Sequence, residues 1–252
     1  MMRYLWPVTS LMIMSVLVSL ALPPQAQAER DWEFSLGAFG GKAFHSNSDM
    51  KINSGANGDP WWGTVHGVTL NDSGTFGGKV SAWHLSRKYS WQPQIGLELD
   101  FTRFTADRDP QVRGADGTVS TPGYQLGAVT FTSHTDLSVN TLAVNLLFRY
   151  PILANPDLPQ GRIAPYVGFG GGVQRAVLTY SPEAYREVDY APAGQVLVGM
   201  KCFMFRNLAV FGEYKRIWSS HEFSYAGITP AGYKQTWSVV TNILAAGVSL
   251  HF

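Results

Sequence analysis

Histidine and carboxylate side chains gather in three long polar stretches of this sequence, and residues of these types could hold a divalent metal. The first stretch holds His45, Asp49, Asp59 and His66, with Trp61 and Trp62 between them. The second holds Asp107, Asp109, Asp116, His134 and Asp136, and the third contributes His221 and Glu222. Neutral imidazole nitrogen and carboxylate oxygen together suit a divalent cation. His45, His66, His134 and His221 are therefore the candidate metal ligands, provided that folding brings them to one rim. Their spacing matches no metal-specific motif, and hydrophilic loop residues without a ligand are the plain alternative. Hydrolysis has less to work with, since His45-Ser46-Asn47 and His134-Thr135-Asp136 each lack a partnered nucleophile and base. No nucleophile elbow, phosphate-binding glycine loop, paired-cysteine metal motif or zincin motif occurs. No catalytic residue is assigned, and no cofactor is expected beyond a divalent metal if the chain is an enzyme.

A second set of charges has a different setting. Lys79, Glu98, Asp100, Arg149, Lys201, Glu213 and Lys215 sit at alternate positions within apolar segments. Ile95, Leu97, Leu99 and Phe101 interleave with Glu98 and Asp100; Leu142, Val144, Leu146, Phe148 and Tyr150 interleave with Asn145 and Arg149. A period of two is that of a β-strand with one apolar and one polar face. About eight such segments can be read, near residues 31–43, 75–85, 91–104, 138–150, 162–180, 194–204, 208–218 and the closing stretch to Phe252. In the closing strand Leu244, Ala246, Val248, Leu250 and Phe252 share the apolar face, and Asn242 falls on it as an exception. By the same alternation Trp83 and Trp237 point to the polar side, while Trp32, Trp91 and Trp218 fall near strand ends as interfacial anchors, a role also expected of Trp61-Trp62.

The links between segments alternate in length. Short ones cover 86–90, 151–161 and 205–207; long polar ones cover 45–74, 105–136, 181–192 and 219–235. Short turns at one end and long loops at the other are the asymmetry of an outer-membrane barrel. The expected fold is thus all-β, an eight-stranded antiparallel transmembrane up-and-down β-barrel with short periplasmic turns and long extracellular loops. Its seven inward charges would pair and plug the lumen, because a narrow eight-stranded barrel is filled by its own side chains. The inward Gly168, Gly170 and Gly172 would permit sharp curvature. A soluble β-sandwich or lipocalin-like barrel is the alternative, but neither needs loops sorted by length.

Both ends of the sequence and its composition agree with an envelope address. Arg3, the apolar run from Leu11 to Leu22 and Ala26-Gln27-Ala28 form a secretory signal peptide over 1–28, leaving 29–252 as the barrel. Phe252 would serve as the assembly signal. Cys202 is the single cysteine, so no internal disulfide can form. Charged residues make up only 15%, against about 25% in a soluble domain, while aromatics reach 13%. The formal net charge of +1 gives no basic excess for nucleic acid.

Several stretches carry a resemblance. Ser35-Leu36-Gly37-Ala38-Phe39-Gly40-Gly41-Lys42-Ala43-Phe44 and Phe76-Gly77-Gly78-Lys79-Val80 resemble the first hairpin of small bacterial outer-membrane β-barrels of the OmpA-like, opacity type. Residues 95–101, 164–170 and 211–215 carry the same likeness. The stretch from Phe211-Gly212-Glu213-Tyr214-Lys215 to Ser219 and Ser220, with Thr241-Asn242 and the closing strand, is similar to lipid A oxidase-type barrels. The first resemblance implies a structural or surface-interaction protein of the Gram-negative outer membrane, both termini periplasmic. The second implies a lipid A-modifying enzyme at the outer leaflet, acting with oxygen. Expected partners are outer-membrane lipids and lipopolysaccharide and the barrel assembly machinery, with the protein a monomer. A narrow, porin-like channel is the third reading, and the small lumen argues against it.

Overall fold

Strands that are apolar on one face and polar on the other close this sheet on itself. The computed structural model describes residues 31–54, 61–89, 91–118, 127–155, 158–180, 185–224 and 233–252; the signal peptide, Asp59 and parts of the long loops fall outside these. In chain order the strands are β1 (Trp32–His45), β2 (Ser48–Ser54), β3 (Trp61–Val68), β4 (Ser73–His84), β5 (Gln94–Thr105), β6 (Gln111–Thr118), β7 (Ala128–Phe131), β8 (Thr135–Arg149), β9 (Ile163–Tyr180), β10 (Tyr185–Phe205), β11 (Leu208–Ser224) and β12 (Tyr233–His251). Eight of them form a ring in the order β1, β4, β5, β8, β9, β10, β11, β12, closed by antiparallel pairing of β12 with β1 from Ser35↔His251 to His45↔Thr241. At the seam Phe252 N donates to Phe34 O at 2.9 Å, so the chain's last residue is tied to its first strand.

Over the stretch where β12 pairs with β1, ring closure leaves no strand edge, which is the condition for a sheet to cross a bilayer. The exterior matches. Leu97, Leu142, Val144, Val167, Phe169, Leu244 and Val248 all point outward and are exposed. Along β8 and the residue that follows it, the apolar outer positions run from Leu142 to Tyr150, nine residues, the length a tilted membrane strand needs. Trp32, Trp91, Tyr150 and Phe205 lie exposed toward the short-turn end; Phe44, Phe76, Tyr190 and Trp218 lie toward the long-loop end. These two aromatic levels mark where a barrel meets the membrane interfaces. Among the described residues no helix is long and apolar enough to cross a membrane.

Inside the ring a repeated device fits large rings into a narrow space. Phe39 is paired with Gly77, Trp83 with Gly96, Tyr166 with Gly199 and Phe211 with Gly247, each directly across a strand pair. A methyl group on any of these glycines would come within 2.7 Å of its partner's ring. Each ring therefore leans over the bare backbone of its neighbour, covering a glycine that would otherwise weaken the sheet.

The long loops differ from the sequence expectation of plain polar links. β2 pairs with the upper end of β12, β3 with β2, β6 with β3 and β7 with β6. The first two long loops thus continue the wall as a four-stranded extension, here called the crown. The barrel strands also overrun their expected ends: β10 begins at Tyr185 rather than near 194, β11 continues to Ser224, and β12 begins at Tyr233. Beyond the membrane the outer face meets water, so apolar alternation fades while backbone pairing goes on. Trp62 is exposed on β3 of the crown, not in a membrane anchor position.

Candidate functional site

The lumen, the crown interior and the crown surface are the three places where polar chemistry collects. The seven lumen charges expected from sequence all point inward and are buried. Lys79 Nζ donates to Glu213 Oε2 at 2.7 Å and to Glu98 Oε1 at 3.3 Å, and lies 3.8 Å from Asp100 Oδ2. Lys215 Nζ donates to Asp100 Oδ2 and to Thr102 Oγ1. Tyr166 Oη donates to Glu213 Oε2 at 2.8 Å, and Ser81 Oγ and Asn145 Nδ2 complete the shell of Glu98.

Nearer the short turns a second group forms around a residue the alternation implies but the sequence reading did not single out. Glu33 Oε1 accepts from Arg149 Nη1 at 2.6 Å and lies 2.9 Å from His251 Nδ1. Arg149 Nε donates to Gln94 Oε1, and His251 Nε2 is 2.9 Å from Ser249 Oγ. Lys201 departs from the expected pairing. Its Nζ has no hydrogen-bond partner among the described residues and lies over the Trp83 ring at 5.5 Å. Its charge is matched within the lower lumen, where Lys79, Arg149, Lys201 and Lys215 face Glu33, Glu98, Asp100 and Glu213; a further buried cation, Arg108, sits higher, over Phe131 and Trp237. Glu33 and His251 were legible in principle, since each holds an inward position one residue from a lipid-facing side chain.

Above the charges the interior turns apolar. Phe39 and Phe211 cap the network, and Phe104, Leu137, Ile217, Phe223, Trp237 and Ile243 continue upward to meet Met50, Ile52 and Val65 of the crown. Lumen and crown therefore share one hydrophobic core, beside which Thr102, Thr141, Gln174 and His221 form a buried polar ladder along the wall.

The four candidate histidines do not meet at one rim, which corrects the sequence expectation. His45 is half-buried against the wall, its Nε2 2.8 Å from Thr105 O and its Nδ1 3.1 Å from Thr241 Oγ1. His221 is buried between Asp189 Oδ2 and Gln174 Oε1, both at 2.9 Å, and desolvation pushes its pKa down. His66 and His134 are on the crown surface, each between two carboxylates. His66 Nε2 is 3.0 Å from Asp116 Oδ2 and its Nδ1 3.4 Å from Asp49 Oδ2, which links the first long loop to the second. His134 Nδ1 is 2.8 Å from Asp109 Oδ1 and its Nε2 3.0 Å from Asp136 Oδ1. The candidates were separated by facing: alternation sends His45 and His221 inward, a distinction that loop position alone does not show. Among the described residues one group, Asp107, His134 and Asp136, brings three ligand atoms within 4.8 Å, a spacing a divalent cation could bridge.

The surface clasps make the crown sensitive to pH. Hydrogen bonding to Asp116, then to Asp49, raises the His66 pKa above 6.5, and Asp109 does the same for His134. Asp49 is held below 3.8, chiefly by the Gly67 N–H, and Asp109 chiefly by the Asn71 amide. A raised imidazole pKa stabilises the folded crown fully below 6.5 and less as pH rises through the raised value. A lowered carboxylate pKa stabilises above 3.8 and less as pH falls through the lowered value. Amide exchange over residues 61–68 and 111–118, corrected for intrinsic rates, should therefore be slowest at mildly acidic pH. It should quicken as pH passes neutrality, and the His66→Gln variant should flatten that rise. Equal protection at pH values on both sides of the imidazole titration would show that the clasps do not hold the loops. The effect is small because these pairs are exposed.

Wall, belt and filled lumen together define the class: a closed eight-stranded transmembrane β-barrel with a folded loop crown. No family model and no curated protein sequence matches the chain. Solved structures similar to it include Neisserial surface protein A, at 14% identity and a TM-score of 0.45, covering 88% of this chain and 98% of that one. Ail, the attachment invasion locus protein of Yersinia pestis, crystallised with the heparin analogue sucrose octasulfate, is similar at 11% identity and a TM-score of 0.41, covering 88% of this chain and 100% of that one. The translocator domain of the autotransporter NalP from Neisseria meningitidis is similar at 8% identity and a TM-score of 0.29, covering 97% and 95%.

Proposed function

We propose that this protein is a non-conducting barrel of the Gram-negative outer membrane, with its termini and short turns in the periplasm and its crown held outward for surface interaction. The observation that carries this reading is the crown itself. β2, β3, β6 and β7 extend the wall from β12 and bury Met50, Ile52 and Val65 against Phe223 and Trp237 of the barrel. Loops that serve only as connectors need no core. A rigid, folded platform presents fixed side chains, such as the exposed Trp62, to a partner. Outer-membrane lipids surround the belt, the assembly machinery reads the closing strand with Phe252, and the closed ring works as a monomer.

Planar bilayers and cell adherence test the two halves. The purified barrel should give no discrete open-channel current, because charged and apolar side chains fill its lumen. Cells producing a variant in which residues 48–68 are replaced by a short Gly/Ser turn should lose the adherence that the intact protein confers. A steady unitary conductance would overturn the plugged lumen, and unchanged adherence would overturn the surface role.

A further inference from the structure

The outer wall of a membrane barrel is usually described by its apolar belt, but one sector of this wall carries a built polarity boundary. On β5, β8, β9 and β10 two neighbouring outward rows run level across the strands. The lower row is Phe101, Leu142, Val173 and Pro192; the upper is Arg103, Asn140, Arg175 and Tyr190. Between them lies a cleft of about 220 Å³, walled by Phe101, Leu142 and Val173 below and by Asn140, Arg175 and Tyr190 above. Arg103 and Arg175 are separated by a single strand, so their Cα atoms stand about 10 Å apart; Arg175 lines the cleft and Arg103 flanks it on the side of Phe76. Among the described residues neither guanidinium forms an ion pair; Arg103 rests against the Phe76 ring at 6.0 Å. This row marks the outer end of the apolar belt, where headgroups begin.

We infer that this cleft seats a phosphate-bearing glycolipid of the outer leaflet, an acylated sugar whose phosphate is held by Arg103 and Arg175 and whose acyl chain lies on Leu142 and Val173. Three features select that occupant. Guanidinium pairs match phosphate oxygens in geometry as well as charge. Asn140, between the two arginines, offers a neutral donor and acceptor for a sugar or amide. The apolar floor continues without interruption into the belt, as an acyl chain requires. The assignment rests on the reading that these strands cross the outer membrane, and membrane fractionation tests that separately.

Native mass spectrometry of the barrel released from detergent, with added bis-phosphorylated lipid A as the probe, reads retention directly. Wild-type protein should retain the lipid, and should retain its fully dephosphorylated form far less. Arg103→Gln and Arg175→Gln should each lower retention about tenfold, the scale of one charge-assisted hydrogen bond. Both side chains face outward, so the folded barrel should survive, as its gel mobility without heating will show. Leu142→Trp, which fills the cleft and leaves every charge in place, should also lower retention. Arg216→Gln is the control: Arg216 faces outward on β11, across from Val196 and beside Asn242, away from the cleft. Retention that ignores the arginines, ignores the phosphate, or falls equally with Arg216→Gln would overturn the site. If the protein itself fractionates outside the outer membrane, the address is wrong; if it fractionates there and retention fails as stated, only the lipid site is wrong.

Discussion

Replacing Glu213 with alanine should destabilise the barrel by about 3–5 kcal/mol, the loss seen when one partner of a buried ion pair is removed. The carboxylate of Glu213 accepts from Lys79 Nζ and Tyr166 Oη and lies 3.7 Å from Lys215 Nζ, so three groups on three other positions of the wall depend on it. Lys79 retains Glu98 and Asp100 as partners, which keeps the cost finite. The wider balance also shifts. With four lower-lumen cations set against four carboxylates, removing Glu213 leaves one cation unmatched, and Lys201, whose ammonium has no hydrogen-bond partner among the described residues, relied on that balance. Glu213→Gln should cost less, since the amide oxygen still accepts while the charge is lost. Urea unfolding from lipid vesicles is the measurement. An unfolding free energy for Glu213→Ala within about 1 kcal/mol of wild type, at unchanged slope, would show that the lumen charges are solvated individually rather than as a network.

Much of this wall was legible because the bilayer imposes a strict rule. Every second residue of β5, from Ile95 to Phe101, meets lipid, and every residue between them faces the lumen, so facing follows from position. Once facing is known, inward Lys79, Glu98 and Glu213 have nowhere to be but together. The crown was illegible for the opposite reason. Both faces of β2 and β6 lie beyond the membrane, and a sequence such as Ser48-Asp49-Met50-Lys51-Ile52 mixes signals that lipid would have sorted. Its strands form because β12 offers an edge above the bilayer and because Trp237 and Phe223 offer apolar surface, both distant in sequence. Asn242, an exception on the lipid face, also becomes intelligible. Tyr214 Oη donates to Asn242 Oδ1 at 2.7 Å, so the amide oxygen is satisfied on the outer face, next to Arg216 and just inside the level of Trp218. The histidines fared worst, since a metal-like residue set says nothing about which members face inward.

Gly199 should prove as costly to change as Glu213, although it carries no side chain. It is paired with Tyr166 of β9 on one side and with Glu213 of β11 on the other. The phenol ring must therefore pass directly over Gly199 for its hydroxyl to reach the carboxylate. A Cβ at this position would lie 2.5 Å from Tyr166 Cζ and from its Oη, and 2.7 Å from Gly212 O. The backbone oxygen cannot retreat far in a paired strand, and the ring can retreat only by leaving Glu213. Gly199→Val thus combines overpacking, about 1–3 kcal/mol, with loss of a hydrogen bond to a charged acceptor, about 1.5–3 kcal/mol. Urea unfolding should show a loss of about 3–5 kcal/mol. The two costs can be separated. In a Glu213→Ala background the hydrogen bond is already gone, so Gly199→Val should cost distinctly less there than in the wild type. Additive losses would mean that the ring clears the added methyls without giving up its bond, and that the glycine serves strand curvature alone.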